Sequence, residues 1–166
     1  MKLLPTRRTD YGIRALIFLA NAESASAKAS QIGAAMDIPT GFLHQVLQVL
    51  QRAGLVTSRP GPSGGYALAR APDEVTILEI VEGLEGPIRA KQCALRGGPC
   101  HWNDVCALHS VWSSATAALA EQLAASTLSE VARQDRDLAV GTAVVPVDSH
   151  RRGNSSPVLD VRNYRK

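Results

Sequence analysis

The stretch Asp37–Ala69, DIPTGFLHQVLQVLQRAGLVTSRPGPSGGYALA, decides the fold. Within it Leu43, Val46, Leu47 and Leu50 recur at i, i+3, i+4 and i+7, the spacing of one buried stripe on a helix. Thr40, Gly41, His44, Gln45 and Gln48 fall on the opposite side. Thr40 can cap the amino end and Gly54 stands just past the carboxyl end, so the spacing predicts a helix from Thr40 to about Ala53. Ahead of it, Asp37-Ile38-Pro39 breaks a shorter helix, Gln31–Met36, for which Ser30 is the expected cap. A short helix, a tight turn and an amphipathic helix with amides outside is the layout of a helix-turn-helix. The β-prone Leu55–Arg59 follows, Pro60–Gly65 must turn, and Tyr66–Ala69 returns as a second strand. A hairpin placed there is a wing, with Arg59 and Arg70 able to carry charge toward a phosphate backbone.

Outward from this centre, Tyr11, Ala15, Leu16, Phe18 and Leu19 mark a first helix over Asp10–Asn21, capped by Thr9 or Asp10. Ile77, Ile80, Val81 and Leu84 mark a fourth helix over Thr76–Leu84. The irregular 87–108 segment is rich in Gly and Cys. His109–Ala125 then shows an apolar stripe of Val111, Trp112, Ala115, Ala118, Leu119 and Leu123, suited to packing against a second copy. Thr127–Arg133 reads as a last short helix. The fold class expected is mainly α with a small β-hairpin: a winged helix-turn-helix DNA-binding domain plus a long dimerisation helix. Its parts are a DNA-binding region at 1–86, a cysteine-rich loop at 87–108, a dimerisation helix with a short C-terminal helix at 109–138, and a disordered tail at 139–166.

Charge is distributed to match. Residues 1–70 carry eight Lys/Arg against three Asp/Glu, net +5, while residues 71–140 carry five against ten, net −5. A basic head on an acidic body fits a polyanion partner for the head. No apolar run approaches the roughly 20 residues that span a bilayer. Arg7, Arg8 and Asp10 interrupt any secretory h-region, so a cytoplasmic protein without membrane contact is expected. In that compartment thiols stay reduced, and the three cysteines, crowded into one stretch, point to metal or redox chemistry rather than a disulfide framework.

The cysteine pattern is Cys93-x6-Cys100-x5-Cys106-x2-His109, with Gly97-Gly98-Pro99 allowing the backbone to fold around an ion or cluster. Three Cys and one His also make an accepted structural zinc set, although zinc sites usually use shorter paired spacings. An iron–sulfur cluster with a weaker fourth ligand suits the longer spacings, but spacing alone does not decide.

Three segments together resemble the Rrf2 family of bacterial regulators: Thr9–Leu16, Ala53–Val56 with Gly64–Leu68 across the wing, and the three-cysteine loop. The resemblance covers about residues 1–137. It implies a homodimer joined through the helix after the loop, and a 2Fe–2S or 4Fe–4S cluster held by Cys93, Cys100 and Cys106 whose state controls promoter binding. For the fourth ligand the chain resembles two subtypes. His109 stands where the IscR type completes a 2Fe–2S site, and Asp10 stands where the NsrR type, a nitric-oxide sensor, completes a 4Fe–4S site. Asp10 also fits a helix cap, and His109 a packing role at the start of the dimer helix. One departure is Pro60, where the family usually has glycine after the wing arginine.

The DNA partner is double-stranded promoter DNA. Thr40, His44, Gln45 and Gln48 are the candidates for base edges, while Arg8, Lys28 and Arg59 suit phosphates. The function expected is a transcriptional repressor sensing iron–sulfur status, redox stress or nitric oxide. The alternative is a zinc-stabilised or metal-free winged-helix DNA binder. An enzyme is not expected: there is no Cys-x-x-Cys pair, nucleophile elbow or phosphate-cradling glycine loop.

Overall fold

A computed structural model describes residues 6–61, 64–88 and 106–144. The order is α1 (Arg7–Asn21), α2 (Ala29–Met36), α3 (Thr40–Arg52), β1 (Val56–Arg59), β2 (Gly65–Leu68), a 3-10 turn (Pro72–Glu74), α4 (Ile77–Glu85), α5 (His109–Ala124) and α6 (Leu128–Ala139). The mainly helical class with one small hairpin is as expected. Cys93, Cys100, the wing tip at Pro62 and Ser63, and the tail beyond Val144 lie outside the described residues.

Helix α1 is the hub, packing against α2, α3, α4, α6 and β2. Leu16 of α1, Ile32 of α2, Leu43, Leu47 and Leu50 of α3, Leu55, Ile80 of α4 and Leu128 of α6 form the fully buried centre. The stripe read from α3 is therefore the inward face. Its end is a Schellman cap: Leu55 N–H donates to Leu50 O at 2.9 Å and Gly54 N–H to Gln51 O at 3.1 Å. Gly54 sits at φ 71°, which an L side chain resists, and Leu55 drops into the core just beyond it.

The wing pairs Val56 with Leu68 through Arg59 with Gly65, antiparallel. It is fastened to the head by Ala27, whose N–H and C=O exchange bonds with Tyr66 at 2.9 and 2.8 Å. That fastening explains Gly65, since a Cβ there would lie 2.6 Å from the Ala27 carbonyl oxygen. A second junction joins α4 to α6. Ile77 N–H donates to Ser126 O and Leu128 N–H to Val75 O, and both helices start in capping boxes, Thr76 with Glu79 and Thr127 with Glu130.

Several expected ends are corrected. α1 starts at Arg7, not Asp10, and neither Thr9 nor Asp10 caps it. Thr9 is fully buried, and its hydroxyl, with that of Thr6, donates to the Glu85 carboxylate from the end of α4. A distant chain segment thus supplies the acceptor at this helix start. Ser30 lies inside α2, whose cap position is Lys28, because Gln31 Oε1 reaches back to the Lys28 N–H at 2.8 Å. Thr40 is the first residue of α3 and Pro39 holds the cap position, where its fixed φ suits a helix entry. α6 runs to Ala139 rather than Arg133, with Arg133 and Asp137 paired at 3.4 Å along its exposed side.

Burial pushes the Glu85 carboxyl up, but the Thr6 and Thr9 hydroxyls, the Thr6 backbone N–H and the charge of Arg8 outweigh it, leaving the group below its ordinary value. A depressed folded value means stability that is fully present above the unfolded value and is lost as pH falls through the folded one. Glu85→Gln is therefore expected to melt earlier than wild type at neutral pH. The gap should close on acidification below about pH 4, as read from Tm against pH for both proteins. A gap that persists in acid contradicts the assignment.

Among the described residues, no helix is long and apolar enough to cross a membrane.

Candidate DNA-reading face and cysteine turn

The outer face of α3 presents Thr40, Gly41, His44, Gln45 and Gln48, all exposed. No acidic residue stands among them, so nothing on this face repels a polyanion. Across from it, the start of α1 brings Thr6, Arg7 and Arg8 to one wall of an open cleft of about 390 Å³, with Phe42, Gln45, Val46 and Val49 on the other. Arg8 and Gln45, expected to meet phosphate and base respectively, thus share one cleft. Arg7 and Phe42 belong to it too and were not singled out from the sequence. Neither had a pattern in the sequence to mark it, and Phe42 is 37% exposed.

The reader helix is braced from α1. Tyr11 meets Phe42 edge-on, ring centroids 5.4 Å apart, and the Arg14 guanidinium lies 5.9 Å from the Tyr11 centroid. Arg14 grips Asp10 at two points, Nε to Oδ1 and Nη2 to Oδ2, both 2.9 Å, and its Nη1 donates to Met36 O at 3.4 Å. One arginine therefore ties the first helix to the turn between α2 and α3. Asp37 shapes that turn at φ 52°, a left-handed conformation that aspartate tolerates better than most residues.

The other charges divide. Lys28 is exposed at the start of α2, beside the strand-like contact of Ala27 with the wing, and Arg59 is exposed at the end of β1. Arg70 is corrected: its Nη2 pairs with Glu79 at 2.8 Å and fastens the strand exit to α4. Glu79 is held below the usual carboxylate range by its hydrogen bond from the Thr76 backbone and by Arg70.

At the far side, Cys106 has no disulfide partner among the described residues and is half-buried at the entrance to α5. His109, the first residue of that helix, donates its backbone N–H to Cys106 O at 2.9 Å, so the thiol and imidazole residues share one turn. His109 Nε2 lies 3.3 Å from Ser113 Oγ. One turn on, Trp112 Nε1 is buried without a hydrogen-bond acceptor among the described residues. Asp10 is not brought to this turn by any contact described, and among the described residues no three His, Cys, Asp or Glu side chains assemble a metal site.

The rest of α5 is open. Leu108, Val111 and Leu119 are 52%, 63% and 44% exposed, and Ala120 is the one residue of α5 that is buried. Of the stripe expected to face a second copy, Val111, Ala115, Ala118 and Leu119 are exposed, while Trp112 is half-buried and Leu123 packs against the core.

Comparison with known proteins places this architecture. Residues 5–134 match the Rrf2 family, described as iron-dependent transcriptional regulators. A candidate HTH-type transcriptional regulator of Neisseria meningitidis serogroup A is 32% identical over 130 residues, 78% of this chain and 87% of the relative. Among solved structures, CymR, the global cysteine regulator of B. subtilis, matches with a TM-score of 0.68 at 28% identity, covering 80% of this chain and 98% of CymR. IscR of T. potens matches with a TM-score of 0.66 at 26% identity, covering 88% and 96%. A winged helix-turn-helix head with this extent of match identifies the chain as a member of the Rrf2 family, a DNA-binding transcriptional regulator and not an enzyme.

Proposed function

We propose that the chain is a homodimeric repressor whose hold on promoter DNA is set by an iron–sulfur cluster at Cys93, Cys100 and Cys106. The observation that carries this reading is the Cys106–His109 turn. It sets a thiol and an imidazole residue at the joint between the head and α5. The donor chemistry fits: thiolate and imidazole are cluster ligands, and the buried indole N–H of Trp112, without an acceptor among the described residues, is the kind of donor that bonds cluster or thiolate sulfur. A bound 2Fe–2S or 4Fe–4S cluster supplies the responsive chemistry: electron transfer, reaction with oxidants or nitric oxide, and loss of iron. His109 is favoured as the fourth ligand because it shares the turn with Cys106, whereas the Asp10 carboxylate is held by Arg14.

The remaining roles belong to the protein alone. Thr40, His44, Gln45 and Gln48 read base edges, with glutamine suited to adenine in the major groove. Arg8, Lys28 and Arg59 hold phosphates and set the register. The open face of α5 pairs with its copy in a second chain, setting two reader helices at a fixed spacing along the duplex. Arg14 and the Tyr11–Phe42 contact carry any movement of α1 to the reader helix.

Likeness to CymR supports a second reading, in which the same fold answers a signal without a cluster, metal-free or steadied by zinc. Anaerobic purification with visible absorption and iron, sulfide and zinc analysis separates the two. The expected result is a brown protein with comparable iron and sulfide. Cys106→Ala should abolish the colour, and His109→Ala should shift the absorption bands more than Asp10→Ala. A colourless protein holding zinc, or no metal after anaerobic reconstitution, overturns the cluster.

A further inference from the structure

Gly41 is exposed on the first turn of the reader helix, and the described residues supply no reason for a glycine there. Glycine weakens a helix relative to alanine because its backbone has more freedom to lose. Two intramolecular reasons ordinarily justify one: a positive φ, or a neighbour where a Cβ would stand. Every other described glycine has one of them. Four take positive φ, and five have an atom within 3.1 Å of the Cβ position. Gly41 has neither, for nothing among the described residues lies within 4 Å of its Cβ position and its φ is not positive.

Its place in the pattern points outward. Gly41, His44, Gln45 and Gln48 stand at i, i+3, i+4 and i+7, one exposed stripe opposite Leu43, Leu47 and Leu50. In a helix-turn-helix the amino-terminal residues of the second helix approach the base edges of the major groove. We infer that Gly41 is where the bare backbone of α3 lies in van der Waals contact with the DNA, letting the helix seat deeply enough for His44, Gln45 and Gln48 to reach bases. A Cβ at this point holds the helix away from the groove. Gly41 is thus a positioning residue for recognition, an inference that rests on α3 being the reader helix.

The test compares Gly41→Ala and Gly41→Leu with Gln48→Ala, the last reporting on the reader assignment itself. The probe is a duplex enriched from a random-sequence pool by the wild-type protein, with binding followed by fluorescence anisotropy at one fixed salt concentration. Gly41→Ala is expected to melt at or up to about 3 °C above wild type while its affinity drops about tenfold, and Gly41→Leu to bind more weakly still. If Gln48→Ala weakens binding and both Gly41 variants do not, the role of Gly41 is overturned and the reader assignment stands. If no duplex is enriched, or none of the three variants affects binding, the reader assignment falls and takes the inference with it. A Gly41→Ala protein that melts earlier and binds more weakly gives the glycine a structural role, which also overturns the inference.

Discussion

Placing aspartate at both Val111 and Leu119 is expected to give a monomer that no longer holds promoter DNA. Both side chains are exposed in the single chain, 63% and 44%, so a carboxylate at either position meets water and leaves the protomer's own packing untouched. In the proposed dimer the same carboxylates are buried against a second apolar face, where an unpaired charge is strongly unfavourable. The reader helices then bind singly. Losing the second, tethered contact lowers apparent affinity by about 10²–10⁴-fold. Sedimentation velocity reads the oligomeric state, far-UV circular dichroism verifies that the helices persist, and anisotropy reads the DNA. A variant that remains dimeric with both substitutions removes α5 as the interface.

Leu47→Ala carries the second large effect. Leu47 is fully buried on the inner face of α3, and truncating such a residue costs roughly 2–5 kcal/mol through lost burial and the cavity left behind. Total stability of a domain is only about 5–15 kcal/mol, so urea denaturation should show a midpoint lowered by a large fraction. Its neighbour Gln48, exposed on the opposite face, provides the contrast. Gln48→Ala should leave the free energy of unfolding within about 0.5 kcal/mol of wild type and still weaken DNA binding. One residue apart, the two changes separate the packing side of the helix from its reading side. Equal loss of stability in both contradicts that division.

Much of this head is legible because its signals are local. The α3 stripe follows from 3.6-residue periodicity, the end of α3 from Gly54, and the hairpin from the Pro60–Gly65 turn between β-prone runs, and each is where the sequence places it. The helix starts are less legible, because their polar groups are settled by whichever acceptor the fold brings within reach. At α1 a carboxylate from the end of α4 bonds the Thr6 and Thr9 hydroxyls, and at α2 Gln31 bonds back to Lys28. Arg70 read as a wing charge because its partner, Glu79, stands nine residues away on another element.

By itself the sequence determined the winged helix-turn-helix, the family likeness and the crowding of three cysteines before a long apolar-striped helix. These rest on spacing along one chain, and neighbours in sequence stay neighbours in space. Only the tertiary structure decided that Arg14 holds Asp10 while bracing the turn before α3 and that Arg8 and Gln45 share a cleft. It also decided that nothing among the described residues stands where a side chain on Gly41 would go. Each of these depends on which surfaces meet when α1 is buried at the centre of the fold. Such a meeting is set by the collective packing of distant apolar stripes and leaves no local mark on the residues it brings together.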